Sequence, residues 1–215
     1  MGKIYYIILN IIRSSKLITK YLWGIKIDVK LHNIFWDLTT LVIKKEIKNI
    51  RNKKKFLDMG CGQLALIGQF YKKNNVNTKV TSVDFYSQFV SNAILNARYN
   101  NTKIRIIKSD LFSNLKKEKF DLISFNPPYV PRNRDDSEKK FKKIRYSGKD
   151  GTLITSKFLK HVKKHLLPKG EILLGMNTFY IPESKCIRLI KKQFRIIKIV
   201  RMRFNSSVVF KIVAI

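Results

Sequence analysis

Four β-rich runs in this chain, residues 56–59, 79–85, 104–108 and 120–125, end at or beside a polar side chain: Asp58, Asp84, Asp110 and Asn126. Other stretches have helical spacing instead. They are residues 64–73, 86–99, 152–167 (stopped by Pro168-Lys169-Gly170) and 182–193. In the second of them Phe89, Val90, Ala93, Ile94 and Ala97 share one side. Further strands are expected at 171–176, 195–204 and 208–215, the last two joined through Asn205-Ser206-Ser207, a tripeptide suited to a hairpin. Strands alternating with helices predict an α/β fold, a doubly wound, mostly parallel sheet covered on both faces. The seven runs give seven strands, and the closing hairpin adds one antiparallel strand. Ligands of such sheets lie beyond the carboxyl ends of the strands, so the four polar side chains are expected to converge on one crevice.

The run 120–125 leads into Asn126-Pro127-Pro128-Tyr129. A polar amide at the tip of a buried strand is a poor packing choice and a good way to hold a flat, nitrogen-bearing group. The Asn126 oxygen can accept from an NH2 group. Each proline lacks an N–H and fixes φ, and the residue before it is pushed to extended geometry. The carbonyls are thereby held in place, and that of Pro127 can become a second acceptor. Tyr129 offers a face for stacking on a planar amide or base. A plain Asn-Pro turn at a strand end is the competing reading.

The length of 215 residues suits one domain, divided here into an N-terminal helical segment, 1–50, and a main domain, 51–215. Lys and Arg number 45 against 14 Asp and Glu, for a net charge of +31. Such a surface attracts nucleic acid, ribosomes or anionic lipid. Cys61 and Cys186 match no metal spacing and fit a reduced, cytoplasmic protein. His161 and His165 have i, i+4 spacing without a third ligand and are expected on a solvated helix face, so no metal is expected. Residues 4–12 are apolar but too short to span a bilayer. With Ile4, Ile8, Ile11, Ile18 and Leu22 near one face, this segment is expected to pack on the domain, with an interfacial membrane helix as the alternative. The charge-dense stretch 132–145 is expected to be a mobile loop able to contact RNA.

Asp58-Met59-Gly60-Cys61-Gly62, between the first strand and first helix, resembles the nucleotide-binding loop of class I S-adenosylmethionine-dependent methyltransferases. The resemblance runs from residue 56 to 215 and implies a Rossmann-like methyltransferase fold with S-adenosylmethionine as cofactor. By resemblance, Gly60 and Gly62 make room for the methionine part, with Asp58 near its ammonium. Asp84 accepts from the ribose hydroxyls and Phe85 packs on adenine. Asp110 and the Leu111 N–H meet the adenine edge. Many members have a third glycine where this chain has Leu64, which would be strained if φ were positive there. Asn126-Pro127-Pro128-Tyr129 resembles the motif of enzymes that methylate amide or exocyclic nitrogens. Val130-Pro131 and Tyr146-Ser147-Gly148-Lys149-Asp150-Gly151 resemble the release-factor glutamine methyltransferases of the HemK/PrmC type. Phe35-Trp36-Asp37-Leu38-Thr39-Thr40 loosely resembles a cofactor-covering segment, without the acidic residue expected just before Thr40. These likenesses imply a release-factor glutamine as acceptor, with an adenine or guanine amino group of RNA or DNA as the alternative. Some relatives also need a small activating subunit.

Overall fold

In the computed structural model, residues 3–27, 36–132, 142–203 and 205–215 are described. Phe35, and most of the 132–145 stretch expected to be a loop, lie outside them. Two helices open the chain, α1 (Lys3–Ser14) and α2 (Lys16–Trp23), followed by α3 (Leu38–Ile47). The alternating part runs β1 (Lys55–Met59), α4 (Leu66–Asn74), β2 (Lys79–Asp84), α5 (Ser87–Tyr99), β3 (Arg105–Lys108) and β4 (Phe120–Phe125). It continues with α6 (Lys142–Arg145), α7 (Leu153–Val162), β5 (Leu166–Asn177), α8 (Glu183–Lys191), β6 (Phe194–Arg201) and β7 (Ser207–Ala214). The strands form one seven-stranded sheet in the order β3-β2-β1-β4-β5-β7-β6. All pairings are parallel except those of β7, which runs against both β5 and β6. The order reverses at β1, so the crevice opens above β1 and β4.

The central strands β1 and β4 are buried on both faces, which is why they read as apolar runs without alternation, whereas the edge strands β3 and β6 are partly exposed. Leu57, Met59, Ile123, Phe125, Ile172 and Leu174 pack on one face with Phe158 of α7 and Ile190 of α8. Phe56, Leu122, Leu173 and Val209 pack on the other with Val42 and Ile43 of α3 and Tyr71 of α4. Trp23 and Ile25 join this second core.

Four local expectations need correction. The helix expected at 152–167 ends at Val162 and gives way to a 3-10 turn, Lys163–His165. Pro168-Lys169-Gly170 then lies within β5, in an irregularity where pairing jumps from Phe120↔Leu166 to Leu122↔Glu171. A bulge tolerates a proline that a regular central ladder does not. His165 is buried, stacked on Phe112 at 4.4 Å, with Nδ1 2.8 Å from the Glu118 carbonyl. Ile8 and Ile11 were expected against the domain, yet they are 52% and 62% exposed. Docking falls to Arg13, Thr19 and Trp23, with Ile12 and the expected Ile18 and Leu22 partly buried against the second core. Leu64 carries no strain, because the left-handed residue is Ala65, at φ 44°.

Gly175 in β5 seats α3. A Cβ built there would lie 2.6 Å from Thr39 Cγ2 and 3.3 Å from both Asn126 Oδ1 and Ile43 Cδ1. Gly175→Ala is expected to cost about 1–3 kcal/mol of stability by overpacking. Urea denaturation measures this, and an unchanged midpoint would mean that α3 has slack to move.

Candidate functional site

Each predicted side chain reaches the carboxyl edge of the sheet because its strand stops there. Two adjoining cavities occupy this edge. The larger, about 460 Å³, is lined by Gly60, Gly62, Asp84, Phe85, Asp110, Leu111, Asn126, Pro127 and Tyr129, among others. The smaller, about 220 Å³, is lined by Arg13, Asp37, Thr40, Asp58, Gly60, Asn126 and neighbours. The predicted residues thus come together, with Asp58 alone confined to the smaller space.

The glycine turn is built as its sequence requires. Gly60 and Gly62 have φ of 65° and 64°, conformations that favour glycine. Asp84 fixes the turn from the neighbouring strand: its carboxylate accepts from Gly62 N at 2.8 Å and from Tyr86 N at 3.0 Å. Burial raises its pKa, while those N–H groups pull the other way. Asp58 is tucked under α4, accepting from Gly68 N at 3.0 Å and Ser124 Oγ at 3.1 Å. Burial pushes its carboxyl up to about 7, against these two hydrogen bonds. Phe85 is 55% exposed, its ring edge-on to Tyr86. Asp110 is exposed, and Leu111 turns through φ 48°.

At the end of β4 the structure adds a residue that the sequence reading did not single out. Asp37 caps α3 by accepting from Thr40 N at 2.8 Å. The same oxygen accepts from Asn126 Nδ2 at 3.0 Å, and the other accepts from the Tyr129 hydroxyl at 2.8 Å. Burial alone would raise its pKa, but the Arg13 charge and the bonds from Thr40 and Tyr129 hold it below the usual value. Burial and the Asp37 charge raise the Tyr129 phenol instead. An acid was expected just before Thr40 and is absent there; the carboxylate arrives from three positions upstream. Helix N-cap preference for Asp was the one signal available. Asn126 Oδ1 is the remaining polar atom of that amide. It is buried, and no hydrogen-bond donor reaches it.

The loop after α6 braces this motif. Val130 N donates to Arg145 O, Ser147 N to Val130 O and Arg132 N to Gly148 O. Gly151, at φ 80°, sits where a Cβ would fall 2.4 Å from the Tyr129 carbonyl. Asp150 accepts from Thr152 and pairs with Lys185 at 2.8 Å. The Tyr129 ring lies 5.7 Å from Tyr180, tilted by 30°. Among the described residues no cluster of three His, Cys, Asp or Glu could hold a metal. Among them, too, no helix is long and apolar enough to cross a membrane.

The model of the methyltransferase small domain matches residues 35–209. A protein of Methanocaldococcus jannaschii, provisionally named protein N5-glutamine methyltransferase, is 31% identical over 77% of this chain and 83% of its own length. A release factor glutamine methyltransferase of Francisella tularensis is 34% identical over 59% of this chain. Ribosomal RNA small subunit methyltransferase C of Haemophilus influenzae is 28% identical over 71%. This chain spans 47% and 40% of those two enzymes. Among solved structures, a methyltransferase of Pyrococcus furiosus superposes with a TM-score of 0.66 at 22% identity, over 98% of this chain and 96% of that one.

Asp58 gives a pH dependence with a definite sign. Its folded pKa, about 7, lies above the unfolded carboxylate value. The stability it contributes is therefore full below the unfolded pKa and lost as pH rises through about 7. Its share of the slope is at most ~1.4 kcal/mol per pH unit. Urea titrations between pH 5 and 8 should show a shallower decline for Asp58→Asn than for the native protein; identical slopes would disprove the assignment.

Proposed function

The chain belongs to the methyltransferase small domain family, and we propose that its acceptor is the side-chain amide of a glutamine in a translation release factor. It is an S-adenosylmethionine-dependent methyltransferase. The residues at the strand ends suit that cofactor. The glycine turn allows close approach, Asp84 retains lone pairs for a ribose, and Phe85 offers an exposed ring. Asp110 and Leu111 lie where an adenine edge would reach. Bound S-adenosylmethionine supplies an electrophilic sulfonium methyl.

The observation that carries the acceptor reading is the orientation of Asn126. Its NH2 end is committed to Asp37, which can only accept, so its oxygen is the end left for a donor. That oxygen lies over Gly175 and is covered; a target NH2 engages it as the side chain tips toward the larger cavity. The Pro127 carbonyl is the second acceptor. An amide nitrogen is a weak nucleophile because its lone pair is delocalised. Two acceptors holding its hydrogens favour a more tetrahedral nitrogen, with the lone pair aimed along the transfer direction. They bind more strongly as positive charge builds on nitrogen, so they stabilise the transition state selectively. Tyr129, its hydroxyl tied to Asp37, sets the plane of the target. Support for glutamine over other amides comes from the names of two relatives and from the braced Ser147–Gly151 loop.

A second reading, an amino group of RNA, is favoured by the net charge of +31 and by the ribosomal RNA enzyme among the relatives. Labelled methyl from S-adenosylmethionine, offered to purified release factor and to ribosomes, separates the two. Label in the release factor, recovered as methylglutamine, supports the first; label released only by nuclease supports the second. Asn126→Ala should lose about 10²-fold or more in turnover, the scale for one preorganised hydrogen-bonding group, and still bind S-adenosylhomocysteine. Near-native turnover would overturn the acceptor role. Asp37→Asn keeps a good helix cap but no longer dictates the amide orientation. We expect it to fold normally and to lose about 10-fold in kcat, a scale short of removing the group itself. An unchanged kcat would show that Asn126 orients without it.

A further inference from the structure

The smaller cavity holds two opposite charges that no step above uses together. Its lining includes Asp58, buried beneath the first turn of α4, and Arg13, near the end of α1. Arg13 is only 8% exposed, an unusual place for a guanidinium. Its Nε donates to the Trp36 carbonyl at 2.8 Å, and one terminal nitrogen lies 3.5 Å from Asn10 Oδ1, at the limit of a hydrogen bond. Among the described residues no carboxylate comes within salt-bridge distance of Arg13. Asp37 influences it through space, but the Asp37 oxygens are committed to Thr40, Asn126 and Tyr129. A buried guanidinium with five donors is poorly satisfied by one carbonyl and one marginal amide contact.

The two cavities share Met59, Gly60, Gly62, Asp37, Asn126, Ile144 and Arg145, so they meet at the glycine turn and at the tip of β4. Asp84, Phe85, Asp110 and Leu111 mark the larger one as the nucleoside end. The smaller one, lined by both a carboxylate and a guanidinium, has the charges to match a zwitterion. We infer that Arg13 binds the α-carboxylate of the cofactor's methionine portion, while Asp58 faces its ammonium. A planar guanidinium suits a carboxylate because its paired N–H groups fit the two oxygens. α1 then serves as one wall of the cofactor pocket, and its docking by Arg13, rather than by Ile8 and Ile11, has a reason. Arg13 stands ahead of residues 35–209, the part that the family model matches.

The inference rests on the cofactor assignment above, and one binding experiment tests each separately. Isothermal titration compares S-adenosylhomocysteine with its decarboxylated analogue, which keeps the ammonium and lacks only the carboxylate. The native protein should prefer the complete ligand by about 10-fold or more, the scale of a charge-assisted pair. In Arg13→Met that preference should shrink to about 2-fold or less, with the decarboxylated analogue bound as well as before. Circular dichroism and a thermal melt confirm folding. Should Arg13→Met fail to fold, Arg13→Gln keeps a donor for the Trp36 carbonyl and is read by the same criterion. A preference that survives in the Arg13 variant overturns the proposal, as does a native protein that shows none. Arg145, which also lines the cavity, is the control: loss of preference in Arg145→Gln but not in Arg13→Met assigns the carboxylate to Arg145 instead. A native protein that binds neither ligand defeats the cofactor reading itself.

Discussion

One carboxylate, Asp37, joins the N-terminal helices to the sheet at the point where the site forms. Its two oxygens satisfy a helix N-terminus, an amide and a phenol at once. A carboxylate held this far from water is costly unless hydrogen bonds and a nearby cation offset the desolvation. Thr40, Asn126, Tyr129 and the Arg13 charge do so here, and the pKa is lowered despite burial. The geometry of the Asn126 motif therefore depends on α3 being seated, which depends in turn on Gly175 leaving room for Thr39. Arg13 adds a further tie, since it anchors α1 to the carbonyl immediately before Asp37.

The sheet was legible in the sequence because its signal is local. Short apolar runs, each closed by Asp or Asn, declare both the strand and the edge at which it stops. The convergence of Asp84, Asp110 and Asn126 on one cavity followed from topology alone. Asp37 was hidden because its meaning lies in partners about ninety residues away, and spacing along a helix carries no trace of them. His165 was misread for a related reason: its place is fixed by Phe112 and the Glu118 carbonyl, not by its own helix. Pro168-Lys169-Gly170 reads as a helix stop by composition, yet an irregular strand accommodates the same residues. Apolar periodicity likewise predicted that α1 docks through Ile8 and Ile11, whereas its buried contact is a guanidinium, with Ile12 partly buried beside it and Ile8 and Ile11 in solvent. Leu64 shows the reverse case, where the sequence signalled strain and the backbone moved it one residue along to Ala65.

The orientation of Asn126 has an energetic consequence. With the NH2 end toward Asp37, the amide makes a charge-assisted bond; turned over, its oxygen would face a carboxylate, which only accepts. The favourable orientation leaves Oδ1 buried without a donor, at a cost of about 1–3 kcal/mol. An apolar side chain of similar size would avoid that cost but forfeit the bond to Asp37. Conflicts between local preference and the global fold are expected where a site must hold a geometry for a ligand. In the proposed reaction the missing donor is the acceptor's own NH2. The cost then disappears as the side chain tips onto the target, so a group that weakens the fold strengthens the one state that turns over.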